Sequence, residues 1–349
     1  MKTRLLLMIT AIVLLAACSP APRPGQGETL TVVTHDSFSV SEKVIAAFEQ
    51  ENNAKVVFLK SGDAGAALNK AILTKGAPLG DVFFGVDNTF LSRALEEDLF
   101  LPYSSPLLAA IPAEFKLDTS NRATPVDYGD VCINYDIAWF QTRGLKVPQT
   151  LEELAGPAYK DLLVVENPAT SSPGLAFLLA TVAHFGEEGY LDYWKKLKEN
   201  GVVITNDWNS AYYTSFSGSS GKGSQPMVVS YASSPAAEVI FADPPRTDAP
   251  TASITGKDTC FRQVEFAGIL KGTNHEQLAG KLIDFLLSRS FQEDIPLQMF
   301  MYPVDAGAKL PEEFTKFAAT ASAPAQLDPL TIANNRDQWI RAWSQVMLP

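Results

Sequence analysis

Thr170, Ser171 and Ser172 set three hydroxyls in a row ahead of Pro173, inside the segment "ENPATSSPGLAFLLATVAHF" that begins at Glu166. Proline is tolerated in the first turn of a helix because its missing N–H would have no helical partner there. One hydroxyl is enough to cap a helix. The others are free to meet a ligand, and the unpaired N–H groups behind them suit an anion or a hydroxyl. The plainer alternative is a capped helix whose spare hydroxyls face water.

Other candidate chemistries have less behind them. The chain has no G-x-S-x-G elbow and no H-E-x-x-H pair. "GSSGKGS" lacks the four-residue spacer of a phosphate loop before its Gly-Lys and does not directly follow a strand. The three histidines, His35, His184 and His275, are scattered. His184 falls late in one helix and His275 opens another, so both read as structural. A secreted hydrolase built on a serine, His35 and an aspartate has no motif to support it. Tyr212-Tyr213 is similar to the paired tyrosines of ferric-ion-binding periplasmic proteins, but in a helix one of two adjacent rings must turn into the core.

The elements that must position these residues alternate. "LTVVTH", "AKVVFLKS" and "DVFFGVD" read as strands. "SVSEKVIAAFEQEN", with Ser39 and Glu42 spaced as a capping box, "AGAALNKAILTKG" and "NTFLSRALEEDLF" read as helices between and after them. Strand and helix in alternation predict an α/β fold with parallel sheets flanked by helices. The alternation breaks at "PVDYGDVCINYDIAWF" and resumes with "DLLVVEN", "VVITND" and "MVVSYAS", each followed by a helical stretch. "CFRQVEFAGIL" is a further extended run, and amphipathic stretches around Phe314 and Trp339 close the chain. The pattern gives two lobes. In open parallel sheets ligands sit at the carboxyl ends of strands, which points to His35-Asp36-Ser37, Ser61-Gly62-Asp63, Asp87-Asn88, Asn167 to Ser172, Asp207-Trp208-Asn209 and Tyr231 to Ser234.

Composition bounds the partners. The chain has 349 residues, 46% of them hydrophobic, with a formal charge of -11. An acidic surface argues against nucleic acid and suits a cationic ligand. "MKTRLLLMITAIVLLAAC" has the layout of a secretory signal, and Leu15-Ala16-Ala17-Cys18 resembles a bacterial lipobox. The expectation is a signal peptide over 1–17, lipidation of Cys18 and a Pro/Gly-rich tether over 18–29. That places the protein in the periplasm or at the cell surface, held to a membrane by a lipid anchor.

"THDSF", "FGVDN", "DYGD", "NPATSSPGLAFLL", "DWNSAY", "VVSYASSPA", "RQVE" and "MYPV" occur in that order. As an ordered set spanning most of residues 30 to 345, they resemble the thiamine-binding proteins of bacterial ABC importers. The resemblance implies the type II two-lobed periplasmic-binding-protein fold. Residues 30–129 and 262–302 would form lobe 1, 130–261 lobe 2, and 303–349 helices packing on both. It implies a monomer with no enzymatic activity and no cofactor. Such a protein closes on thiamine or its phosphate esters and passes the ligand to an ABC permease. A polyamine or another cationic nutrient is the alternative ligand, with ferric ion behind it.

A flat cation calls for aromatic faces and a nearby carboxylate. By the resemblance, Trp208 is the main stacking aromatic, with Tyr231 opposite. Asp63 is the acidic contact, and Ser171, with Ser172, meets the tail. His35 stands where the family leads us to expect tyrosine, and Phe300 where it leads us to expect tryptophan. Asn209, Asp36, Asp87 and Tyr128 are further ligand candidates. In the implied fold the two strands that cross between lobes lie side by side, which makes Cys132 and Cys260 candidates for a disulfide. Two buried free thiols are the alternative.

Overall fold

The computed structural model describes residues 27–220 and 222–348. The expected signal peptide, Cys18 and nearly all of the tether lie outside them. Eleven strands are present among the described residues: β1 (Glu28–Thr34), β2 (Ala54–Lys60), β3 (Val82–Asp87), β4 (Phe100–Leu101), β5 (Thr124–Asp136), β6 (Leu163–Glu166), β7 (Val203–Thr205), β8 (Met227–Tyr231), β9 (Thr251–Ile254), β10 (Phe261–Leu270) and β11 (Tyr302–Pro303). Their order is β2-β1-β3-β10-β5-β8-β6-β7, with β4 against β10 and both β9 and β11 against β5.

Each end of this sheet is parallel. β1 pairs in parallel with β2 and β3, and β6 does so with β7 and β8. Parallel strands covered by helices on both faces need apolar side chains on both. All six residues of β3 are buried, as are all four of β6. β5 and β10 cross the middle, antiparallel from Phe261 opposite Val131 to Ala267 opposite Thr124, with a register shift between Glu265 and Phe266. One half of β5 pairs β11, and the other half pairs β8 and β9. The two lobes are therefore joined by a pair of continuous strands, and the expected boundaries at 129/130 and 261/262 fall within those strands.

One step beyond the Val131–Phe261 pair, Cys132 and Cys260 are joined in a disulfide with a Cα separation of 4.3 Å. It is buried against Ala232 and Ala321.

The helix Ser172–Glu199 starts in the middle of the molecule. Every residue from Ser172 to Val182 is buried, and the helix turns at Gly186, whose φ is +71°. A helix buried on all sides at its start cannot rely on amphipathicity, which explains the unbroken apolar run from Leu175 to Ala180. The C-terminal helix Pro329–Met347 packs on it. There Trp343 meets Trp194 edge to face at 5.4 Å, and Trp194 Nε1 donates to Thr181 Oγ1 at 2.9 Å. Truncating either tryptophan to alanine would cost about 3–5 kcal/mol. The helix Glu312–Phe317 packs on the helix Ser234–Ile240.

One expected cap is not formed. Ser41, not Ser39, precedes the helix Glu42–Asn52, and its side chain makes no cap bond. Ser41 Oγ bonds Asp294 and Ser39 Oγ bonds Gln298, so both hydroxyls tie the helix start to a distant segment. The chain after Phe216 opens with a helical turn, Ser217–Ser220.

Candidate functional site

A cavity of about 850 Å³, its open mouth included, lies where the two lobes meet. Lobe 1 contributes His35 from the end of β1, Asp63 from the turn after β2, and Glu265 from β10. Lobe 2 contributes Ser172, Trp208, Asn209, Tyr213 and Tyr231. Gln298 to Met301 close one side. No lysine or arginine lines it among the described residues.

Trp208 follows β7. Its indole lies on the Tyr212 ring at 4.9 Å and 17°, and its Nε1 donates to Ser230 Oγ at 2.9 Å. The ring is thus held flat on one side and lines the cavity. Tyr213 meets it edge-on at 5.3 Å and is 51% exposed. Tyr212 is buried and gives its hydroxyl hydrogen to Glu238 Oε1 at 2.8 Å. The tyrosine pair therefore splits between core and rim, and Tyr212 is already satisfied. Among the described residues no group of three or more His, Cys, Asp or Glu side chains could hold a metal ion.

Asp63 does two things. Its Oδ1 accepts the Ala64 N–H at 2.7 Å, capping the helix Ala64–Leu73, and its Oδ2 accepts the Trp208 N–H of the other lobe at 3.0 Å. Burial raises its pKa. The nearby Ser171 hydroxyl, hydrogen bonds from the Ala64 and Trp208 N–H groups and the His35 charge work against that rise. Glu265 stands 3.5 Å from His35 Nε2 and opposite Asp127 of β5 in register. Burial and then the Glu265 charge push Asp127 well up, so that it is the protonated partner. For Glu265 burial pulls upward, but the charge of His35 and then Asp127 more than offset it and hold it ionised. Burial pulls His35 down, yet Glu265, Asp63 and Asp36 raise it overall.

The His35 ring is seated against Gly85. A Cβ there would stand 2.3 Å from His35 Cδ2, at a φ of +100° that few side chains adopt. Phe300 also has a positive φ, +59°, unusual for a bulky residue. It reaches the rim edge-on to Phe241 at 5.1 Å.

The structure brings His35, Asp63, Ser172, Trp208, Asn209, Tyr231 and Phe300 to one cavity. Four expected contacts are not on its wall. Ser171 is fully buried beneath it, with no partner in good geometry for its Oγ. The adjacent Ser172 lines the cavity instead, and its Oγ donates to Asp87. Asp87 is consequently sealed behind Ser172. Asp36 points outward and accepts the Gly62 N–H at 2.9 Å. Tyr128 alternates to the face away from Asp127 and stacks between Phe115 and Tyr302. Thr170, the third hydroxyl of the run, donates to the Asn206 carbonyl at 2.6 Å. Glu265, within "RQVE", is not among the residues the sequence points to, because it stands in mid-strand rather than at a strand end. Glu166, at the end of β6, is buried with both carboxylate oxygens unpartnered. Burial and then the nearby Asp63 raise its pKa well above the carboxylate range.

Residues 77–321 match the family described as bacterial extracellular solute-binding protein. The chain is 31% identical to the thiamine-binding periplasmic protein of Brucella suis over 347 residues, 97% of this chain and 98% of that one. Among solved structures it is similar to a periplasmic thiamin binding protein, with a TM-score of 0.81 and 28% identity over 93% of this chain and 97% of that one. The ferric binding protein from Campylobacter jejuni shares the fold, with a TM-score of 0.74 at 18% identity over 91% and 99% of the two chains.

Proposed function

The chain belongs to the bacterial extracellular solute-binding protein family, and on that premise we propose that it captures thiamine between its lobes and delivers it to an ABC permease. The observation that carries this reading is the wall formed by Trp208 and Asp63. A flat, fixed indole with a carboxylate bonded to the same residue's backbone suits a flat cation. Glu265 adds a second carboxylate, and among the described residues the lining brings no cation of its own except a protonated His35. The relatives named for thiamine support the choice among cations.

Contacts from both lobes meet at the cavity, so the bound ligand would bridge them. β5 and β10 run through the junction, and bending these two strands would open and close it. Lobe 1 would comprise 30–129 with 262–302, lobe 2 130–261, and the remaining C-terminal residues would pack against both. The protein would act in the periplasm or at the cell surface as a monomer, anchored through lipidated Cys18. Mass spectrometry of membrane-extracted protein tests the anchor, and an unmodified mature N-terminus at another residue would exclude it.

The ligand itself is tested by thermal shift with thiamine, its mono- and diphosphate, spermidine and ferric citrate. Ligand at about 1,000 times Kd adds roughly 4 kcal/mol of stability. Thiamine should raise the melting temperature. A shift with spermidine or ferric citrate and none with any thiamine compound would overturn the assignment.

A further inference from the structure

The cavity wall already contains a base placed to carry a positive charge. His35 Nε2 is buried, lies 3.5 Å from Glu265 Oε1 and makes no hydrogen bond in good geometry. We propose that His35, as imidazolium, is the counter-ion of Glu265 in the empty protein, and that a cationic ligand displaces its proton on binding.

This rests on the reading of the ligand as a cation. Two positive charges then compete for the same carboxylates inside a closing, poorly hydrated space. The ligand's charge is fixed, whereas the imidazole can lose its own. The proton passes to the buffer, and charge balances: one positive charge enters and one leaves.

The surroundings of His35 favour such an exchange. Glu265 faces it from β10, Asp63 from the start of the helix Ala64–Leu73, and Asp36 from its own loop. Asp127 of β5 lies behind Glu265. From β3 it meets Gly85 and the Phe84 ring, centred 6.0 Å away, which are uncharged, while buried Asp87 ends that strand. Tyr231 of β8 lines the same cavity and hydrogen-bonds Gln263. Lys60 lies outside, holding the Asp36 carbonyl at 2.8 Å. Carboxylates from three elements raise His35 above the ordinary histidine value. The charged form of His35 is therefore favoured in the empty protein, and a cation placed beside it shifts the balance toward release.

The sign follows by linkage. If the ligand lowers the affinity of His35 for a proton, a proton lowers the affinity of the protein for the ligand by the same factor. Thiamine binding should weaken as pH falls through the titration of His35, by at most tenfold per pH unit for one proton. The test is calorimetric titration of the mature chain with thiamine, in phosphate and in Tris near pH 7. The buffers' different heats of protonation give the number of protons released.

A net release of up to one proton per thiamine in the wild type, lost in His35→Gln, is expected. His35→Gln should also bind thiamine equally well at about pH 6 and about pH 8, where the wild type does not. Binding with no proton exchange, or with the same exchange in the variant, would overturn the displacement and leave the ligand assignment intact. No heat and no binding in any buffer would overturn the ligand assignment and this inference with it. The wild type gives an independent readout by imidazole 15N NMR. With three histidines in the chain, the His35 signal should move from the charged to the neutral pattern when thiamine is added. A signal that stays charged would sink the idea even if the variant does not fold.

Discussion

Asp63 Oδ2 accepts the backbone N–H of Trp208 at 3.0 Å, joining residues 145 positions apart. The acid that would balance a ligand's charge thus also fixes the backbone that carries the aromatic platform. Charge and stacking are coupled at one point between the lobes.

Trp208→Ala should weaken thiamine binding at least tenfold, about 1.4 kcal/mol, and Trp208→Phe should weaken it less. Isothermal titration measures both. Normal binding by the alanine variant would mean that the ligand does not rest on this indole.

Asp63→Asn should also cost at least tenfold in affinity, because the charge is lost and the one side-chain oxygen that still caps the helix Ala64–Leu73 cannot also accept the Trp208 N–H. Burial raises the folded-state pKa of Asp63, so removing the charge offsets part of the stability lost with that bond. Asp63→Ala would lose the cap as well, about 1 kcal/mol in a urea titration. If Asp63→Asn bound thiamine as tightly as the wild type, the carboxylate would have no part in the site.

Asp87 predicts a pH dependence of stability. Burial raises it from 3.8 to about 6 in the fold, against the bonds from Ser172 and Thr89. An acid raised on folding favours the folded state while protonated. That contribution is full below about pH 4 and is lost as pH rises toward about 6, by up to roughly 3 kcal/mol. Asp87→Asn should therefore gain stability over the wild type across that interval and keep the gain above it. Urea unfolding at the two ends of the interval decides the matter. A difference between the proteins that does not change with pH would show that folding does not raise the Asp87 pKa.

Reducing the Cys132–Cys260 bridge should lower stability markedly. The bonded residues are 128 apart in sequence, and closing so long a loop stabilises by roughly 5 kcal/mol in the chain-entropy picture. Melting with and without a phosphine reductant, alongside the double serine variant, measures it. Identical melting curves would mean that the thiols are not joined in solution.

Much of the lobe architecture was legible, because β3 and β6 are apolar on both faces and helices with turn signals separate the strands. The lining of the candidate site was legible where the rule about strand ends applies, at His35, Asp63 and Trp208. It failed at Glu265, which projects from the middle of a central antiparallel strand where that rule has nothing to say. It failed at Tyr128 for a related reason, since side chains alternate along a strand and the neighbouring Asp127 takes the face toward Glu265. The Ser39–Glu42 pattern was misleading because the hydroxyls there answer to Gln298 and Asp294, more than 250 residues away. No local pattern contains such partners.

The seat of His35 against Gly85 constrains how this cleft can be inherited. Any side chain at position 85 would occupy the space of the imidazole, at a backbone angle that penalises it as well. A mutation there would dislodge the residue facing Glu265 before altering any contact of its own with a ligand. Replacing His35 would clear the space but leave the backbone angle, so position 85 stays strained for any side chain whichever residue stands at 35. A change of solute at this cleft therefore has to come through His35 and its neighbours rather than through Gly85.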